Sequence, residues 1–455
     1  MGHNHNGNGV YGRLQQRLDR MPTGAPDSPV FQAILRHLFS PEEAELAAQM
    51  PSLISLSALA SRVGRDEAEL DAMITSMAAR GLVLDLTRGR TRFVSLAPVV
   101  IGFYEFTFMR ARDDAPMDEL AKLFDEYLFQ DPDFALARSI FQGSTQVGRA
   151  LVREETVPDE GTSEVLDWER ATRIVSSASS VAVSLCPCRH HEQLLGRGCD
   201  APLRTCMSFG QGAEALIRAG IAEWVTNAEG LGILEECKQA GLAQIADNVR
   251  EGISYICNCC GCCCGMMSAI RDAKIPGAIV SSNWTAAIDH EKCRGCKKCA
   301  RACPADAITI VDNQGKGLRK YWAVLDADVC IGCGVCHEVC RYEGHAMLPR
   351  ARRVFTPANT FDRMVAMAVE RGKLGDLLVD TVAGAGPQAM ARALQIIERM
   401  PPARAVRAIA PLRSVYLRAF LAASHAALPK GNGVRSVANG STSKTPAGAT
   451  QEGQS

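Results

Sequence analysis

Between Cys293 and Cys340 the chain sets eight cysteines in two runs, Cys293-x2-Cys296-x2-Cys299-x3-Cys303-Pro304 and Cys330-x2-Cys333-x2-Cys336-x3-Cys340. Thiolate is a soft ligand, and three thiolates at x2 spacing wrap a tight loop around one face of an iron–sulfur cube. The fourth cysteine of each run, on the helix that follows, reaches across to the other cube. The spacing therefore assigns Cys293, Cys296, Cys299 and Cys340 to one [4Fe-4S] cluster, and Cys330, Cys333, Cys336 and Cys303 to a second. Gly295, Gly332 and Gly334 supply the permissive backbone such loops need. Paired C-x2-C also binds zinc, but two full four-cysteine runs with a proline after the first point to clusters. The chemistry they imply is electron transfer.

Upstream, Cys186-Pro-Cys188-Arg189, Gly198-Cys199 and Cys206 make a C-x-C-x10-C-x6-C spacing. Further on, Cys257, Cys259, Cys260, Cys262, Cys263 and Cys264 fill six of eight positions in the run CNCCGCCCG. Apolar burial does not call for six thiols in one glycine-containing loop. Ligation of one further cluster is the favoured reading, two stay open, and a zinc or reactive-thiol site is the weaker alternative. By count, Cys186, Cys188, Cys199 and Cys206 are the best four-ligand set. Neighbouring cysteines of the long run cannot all face one cube, because successive side chains point different ways, so some belong elsewhere. Cys237 follows a helical apolar pattern with Leu234 and reads as an ordinary core cysteine. His190 and His191 are expected beside the ligands or in solvent rather than on metal.

The C-terminal runs resemble bacterial-type two-cluster ferredoxins over roughly Ala287 to Pro349. Arg341 stands where that family usually has proline after the last cysteine, and Lys292, Arg294, Lys297, Lys298 and Arg301 surround the first loop with Glu291 the only nearby acid. A basic rim suits an acidic redox partner and raises the potential of the adjacent cluster; a merely solvated rim fits equally well. The larger pattern of Cys186, Cys188, Arg189, Gly198, Cys199, Cys206, Phe209, Gly210 and Cys257 to Gly265, over about Ser40 to Pro349, resembles a group of cytosolic 4Fe-4S dicluster ferredoxin-type proteins. That resemblance implies iron–sulfur binding, electron transfer and a winged-helix-like N-terminus. It implies no substrate.

The elements that position these residues are mixed. A short helix at Phe31–Phe39 precedes Ser40-Pro41-Glu42-Glu43, an N-cap with proline at N1 and acids in the first turn. Next come LSALASRVG and RDEAELDAMITSMAARG, where Leu70, Met73, Ile74 and Met77 form one apolar stripe. Two strands, LVLDL and TRFVSL, flank a tight turn. That order predicts a winged helix. Its candidate recognition helix carries Asp66, Glu67, Glu69 and Asp71, the wrong sign for a DNA groove, while the hairpin's Arg88, Arg90 and Arg92 are basic. Structural or docking use is favoured over DNA binding.

After one or two amphipathic helices in Met117–Phe141, a helix is expected at Glu164–Ser177 and a buried strand at Val181–Leu185 running into Cys186. Helices at Gly212–Ala219 and Ala228–Ala240 precede a strand at Ile253–Ile256 that again runs into cysteine. The expected architecture is α+β and multidomain. It comprises a disordered 1–30, a winged-helix-like domain at 31–110, a helical connector at 111–160 and a Cys-rich α/β domain at 161–283. A two-cluster ferredoxin domain at 284–350 (halves 284–313 and 321–350), a helical segment at 351–430 and a disordered tail at 431–455 complete it. Residues 350–430 hold 13 basic and 5 acidic residues, with Met390, Leu394 and Ile397 on one helix face and Leu412, Val415, Tyr416 and Ala419 on the next. Such a helix can lie on a membrane surface, so peripheral contact stays open, but docking on the core is the default.

Lys+Arg and Asp+Glu balance at 50 each, giving no global attraction to nucleic acid or anionic membrane. No apolar run is long enough for a transmembrane helix, and MGHNHNGNG at the start lacks the apolar core of a signal peptide, so a cytoplasmic chain is expected. No GxGxxG follows a strand and no P-loop occurs. The reading is an iron–sulfur electron carrier with two [4Fe-4S] clusters and at least one additional cluster. The alternatives are a redox-sensing transcription regulator and an electron-transfer subunit of a larger oxidoreductase. No reaction is assigned to the chain alone.

Overall fold

Leu14 and Leu18, one turn apart on a helix face, anchor the start of the chain. The computed structural model describes residues 9–158, 165–312 and 321–381. Composition places Met1 to Pro29 in disorder, but α1 (Val10–Asp19) is a helix with both leucines fully buried. Gln15 Nε2 donates to Ala25 O at 2.7 Å and Arg17 Nε to Met50 O at 2.6 Å, which fixes the segment that follows. The apolar pair outweighs the Gly- and Pro-rich flanks.

Four further helices start at side-chain caps. Ser28 accepts from Phe31 N ahead of α2 (Pro29–Leu38), and Ser40 and Glu43 exchange backbone hydrogen bonds at the start of α3 (Pro41–Gln49). Ser55 caps α4 (Leu56–Val63) and Asp66 caps α5 (Glu67–Ala79), each satisfying N–H groups that a helix start leaves open. Leu70, Ile74 and Met77 are buried and Met73 partly so, as the stripe requires. The strands β1 (Ile54–Ser55), β2 (Val83–Arg88) and β3 (Thr91–Leu96) pair antiparallel in the order β1-β3-β2. Glu67, Glu69 and Asp71 on α5 are exposed, and Arg92 of the hairpin is committed to Asp71 and Asp85. The basic hairpin thus turns part of its charge inward. Helices α6 (Tyr104–Phe108), α7 (Met117–Asp125) and α8 (Ala135–Ile140) complete this region around Phe31, Phe103, Phe108 and Phe124.

Six strands form the central sheet: β4 (Gly148–Ala150), β5 (Val181–Leu185), β6 (Arg204–Phe209), β7 (Glu223–Val225), β8 (Ala243–Asp247) and β9 (Tyr255–Cys259). Their order is β4-β8-β9-β6-β5-β7 and every pairing is antiparallel, so the mixed domain has no parallel ladder in this sheet. The helices α9 (Ala171–Ser177), α10 (Pro187–Leu194), α11 (Gly210–Arg218), α12 (Asn227–Gln239) and α13 (Gly265–Arg271) belong to the same part of the chain.

Alternation along the strands sorts the core: Val181, Val183, Met207, Phe209, Ala246 and Ile256 pack in one cluster, whereas Ala182, Cys206, Ile245 and Cys259 face another. Three expectations shift. The helix expected from Glu164 begins at Ala171, preceded by a short turn of helix at Asp167–Glu169. The strand expected at Ile253–Ile256 runs two cysteines further, to Cys259. β4 lies in the stretch read as a helical connector, because a three-residue edge strand carries too little alternation to be seen in sequence.

The last part holds β10 (Trp284–Ile288), α14 (Lys298–Ala302), β11 (Ile308–Asp312), β12 (Tyr321–Leu325), α15 (Val335–Glu338) and β13 (His345–Pro349). β10 pairs with β13 and β11 with β12, so the first and last strands of the region close on each other. It is stitched to the central sheet by Ser282 Oγ donating to Gly332 O at 2.7 Å and Arg153 N donating to Cys333 O at 3.2 Å. Helices α16 (Thr360–Glu370) and α17 (Leu374–Thr381) follow, and the Glu370 carboxylate accepts from Ser144 N and Thr145 N at 2.9 and 2.7 Å. The amphipathic faces expected around Met390 and Leu412, and the tail after Gly431, lie outside the described residues.

Candidate metal centres

In the C-terminal runs, each loop turns at glycine for a steric reason. Gly295 and Gly332 adopt φ of +61° and +70°, and a Cβ there would fall 2.4 Å from Tyr321 O or 2.1 Å from Trp284 O. Backbone N–H groups point at the sulfurs: Gly295 N and Ala323 N at Cys293 Sγ, both at 3.5 Å, Ala307 N at Cys303 Sγ and Gly344 N at Cys340 Sγ, both at 3.3 Å. The last two are the same four-residue turn. Arg341 therefore makes the turn that Pro304 makes in the first run.

A small cavity is lined by Cys303, Cys330, Cys333 and Cys336, with Ile331 and Met347 among its apolar walls. Cys340 is not on it. Gly344, which donates to Cys340, instead packs beside Cys293, where a Cβ would lie 3.4 Å from Cys293 N. Four thiols around an apolar hollow with N–H donors on the sulfurs fit a cubane cluster. Beside the cavity lies Arg153, fully buried, with Nη2 donating to Lys238 O at 3.0 Å and Leu242 O at 2.9 Å and the other arm paired to Glu338. Burial lowers this guanidinium below its usual range, and the Cys333 sulfur acts against that. On the other side, Cys296 is exposed among exposed Lys292, Arg294, Lys297 and Arg301.

The central cysteines divide in a way that sequence spacing does not show. The Sγ atoms of Cys199, Cys260, Cys262 and Cys263 all lie within 4.8 Å of one another. Cys199 thus leaves the set expected with Cys186, Cys188 and Cys206, because the loop after α10 folds back at Gly198 onto Gln193 and carries Cys199 to Cys260 at 3.9 Å. The remaining six form a second group. The sulfurs of Cys206 and Cys259 lie against Cys257, and those of Cys188 and Cys259 lie against Cys264. These neighbours hold Cys257 down to about 5 and Cys264 well below the usual thiol range. Cys186 sits beside Cys257 and Cys264, and burial pushes it up to about 12.

Arg189 lies between the groups, fully buried. Burial alone would lower it, but the sulfurs of Cys186, Cys260 and Cys199 raise it above its usual value. The histidines turn ring nitrogens away from the thiols: His190 Nδ1 is 2.8 Å from Phe108 O, and His191 spends Nε2 on Ala121 O at 2.8 Å and Nδ1 on Tyr104 Oη at 3.2 Å. Cys237 is fully buried on α12, the helix that also buries Leu234, and burial pushes its thiol up to about 12. Arg153 and Glu338 carry no spacing signal. Only their place in the fold reveals them.

A family model described as a 4Fe-4S dicluster domain matches residues 292–343. Comparison with curated proteins and with solved structures gives no match. With the clustered central thiols, the match makes this an iron–sulfur protein with [4Fe-4S] cofactors and an electron-transfer role. Among the described residues no helix is long and apolar enough to cross a membrane.

Proposed function

We propose that the chain relays single electrons from a partner docked at the basic rim to the central thiols. The relay uses clusters on Cys293, Cys296, Cys299 and Cys340, on Cys330, Cys333, Cys336 and Cys303, and a further cluster on Cys199, Cys260, Cys262 and Cys263. Each cluster supplies one-electron chemistry when bound. The exposed Cys296 and its lysines and arginines offer an acidic partner a contact, and the buried Arg153 favours negative charge at the inner site.

The observation that carries the reading is Gly261, between Cys260 and Cys262. A Cβ on it would lie 3.0 Å from Pro304 Cα, so glycine lets the central loop touch the backbone next to Cys303. That contact sets two thiol quartets side by side, the proximity electron transfer requires. Anaerobically reconstituted full-length protein is expected to hold about twelve or more irons per chain, and Cys199→Ser with Cys262→Ser to remove about four. Iron that stays near eight per chain, untouched by this pair, refutes the central relay.

DNA is not part of this reading. With acids on the exposed face of α5 and Arg92 held by Asp71 and Asp85, no salt-sensitive specific binding to the protein's own upstream region is expected. A mobility shift at nanomolar protein that follows the oxidation state would restore the regulator.

A further inference from the structure

The six cysteines left over by the first central quartet are not spare. Cys206 on β6 and Cys257 and Cys259 on β9 share a sheet face, since side chains two apart point the same way and Met207 pairs with Ile256. Cys186 and Cys188 arrive from the end of β5, and Cys264 caps α13. Cys206, Cys259 and Cys264 are buried, and the other three are half-buried. All are free thiols, so no disulfide explains their proximity.

Cys186 is the N-cap of α10 and Cys188 lies in that helix's first turn, so both thiols sit where the chain leaves the sheet beside β6. Four of the six suffice for a [4Fe-4S] cube, as four suffice for zinc, so metal content separates the two. An apolar core does not call for six thiols in one place.

We propose that Cys186, Cys188, Cys206, Cys257, Cys259 and Cys264 form a binding site for an iron–sulfur cluster of their own, separate from the Cys199 quartet. The CNCCGCCCG loop is the wall between the two sites. Cys257, Cys259 and Cys264 serve one side, and Cys260, Cys262 and Cys263 the other, with Arg189 shared. The inference deepens the relay reading by adding a buried site beyond the quartet.

The test is iron and zinc content of full-length protein, purified and reconstituted without oxygen, with Mössbauer spectra on enriched iron. Wild type is expected at about sixteen irons per chain. Cys257→Ser with Cys264→Ser removes two sulfurs, and each of the other four lies against one or both of them. It is expected to lose about four irons while keeping the four that Cys199→Ser with Cys262→Ser removes. Cys237→Ser, outside both groups, should change nothing and controls for buried thiol loss. The wild-type count needs no variant to fold. About twelve irons that drop with the Cys199 pair alone overturn this site and leave the relay; about eight overturn both. About one zinc per chain, lost in the Cys257 pair, also overturns it.

Discussion

Cys303→Ala is expected to empty the site of Cys330, Cys333 and Cys336 and to spare the one nearest in sequence. The reason is geometric. Cys303 lines the same apolar hollow as those three thiols, and its sulfur is held there by Ala307 N at 3.3 Å. Cys340 is held in the mirrored turn by Gly344 N, which places it toward Cys293. A cube with three thiolates and an apolar wall lacks its fourth anchor and is lost. Iron should fall by about four per chain, and the spectrum of the surviving site should keep its wild-type potential apart from lost coupling to its neighbour. Loss of the signal that depends on Cys293, Cys296 and Cys299 would sink the crossed ligation. Cys340→Ala is the reciprocal case and should spare the site that Cys303→Ala empties.

Arg153→Met is expected to cost about 3 kcal/mol of stability and to move the inner cluster's potential downward. Its side chain is fully buried, so removal strands the carbonyls of Lys238 and Leu242 and leaves Glu338 without its cation. Glu338 is partly exposed, which lets water relieve some of the loss and keeps the cost at the low end for a broken buried pair. The potential falls because a positive charge beside Cys333 and Cys336 stabilises the reduced, more negative cluster. Arg153→Lys should restore much of the potential and less of the stability, since one ammonium cannot reproduce the forked contacts. Chemical denaturation and a redox titration of each variant separate the two effects. An unchanged potential with lost stability would reduce Arg153 to a packing role.

The eight cysteines of the C-terminal runs could be assigned from sequence because ligand spacing is local: two residues between thiols fix how tightly a loop can wrap a cube. The same holds for the cap at Ser40, for the stripe on α5 and for the hairpin, all of which depend on neighbours within a few positions. Cys237 was legible as core because its pattern repeats with the helix. The α1 helix was hidden by its flanks, although Leu14 and Leu18 carried its signal.

What sequence could not do was divide the ten central cysteines. Counting along the chain joins Cys199 to Cys186, Cys188 and Cys206, whereas the fold hands it to Cys260, Cys262 and Cys263. Three non-local events decide this: the register of β6 against β9, the fold-back of the loop at Gly198, and the chain reversal at Gly261 against Pro304. Arg153 was invisible for the same reason, since its carbonyl partners lie 85 and 89 residues away. Spacing set which residues of the C-terminal runs we propose as ligands, and tertiary contact set which of the central thiols meet, because residues far apart in sequence share a site only where strands and loops bring them together.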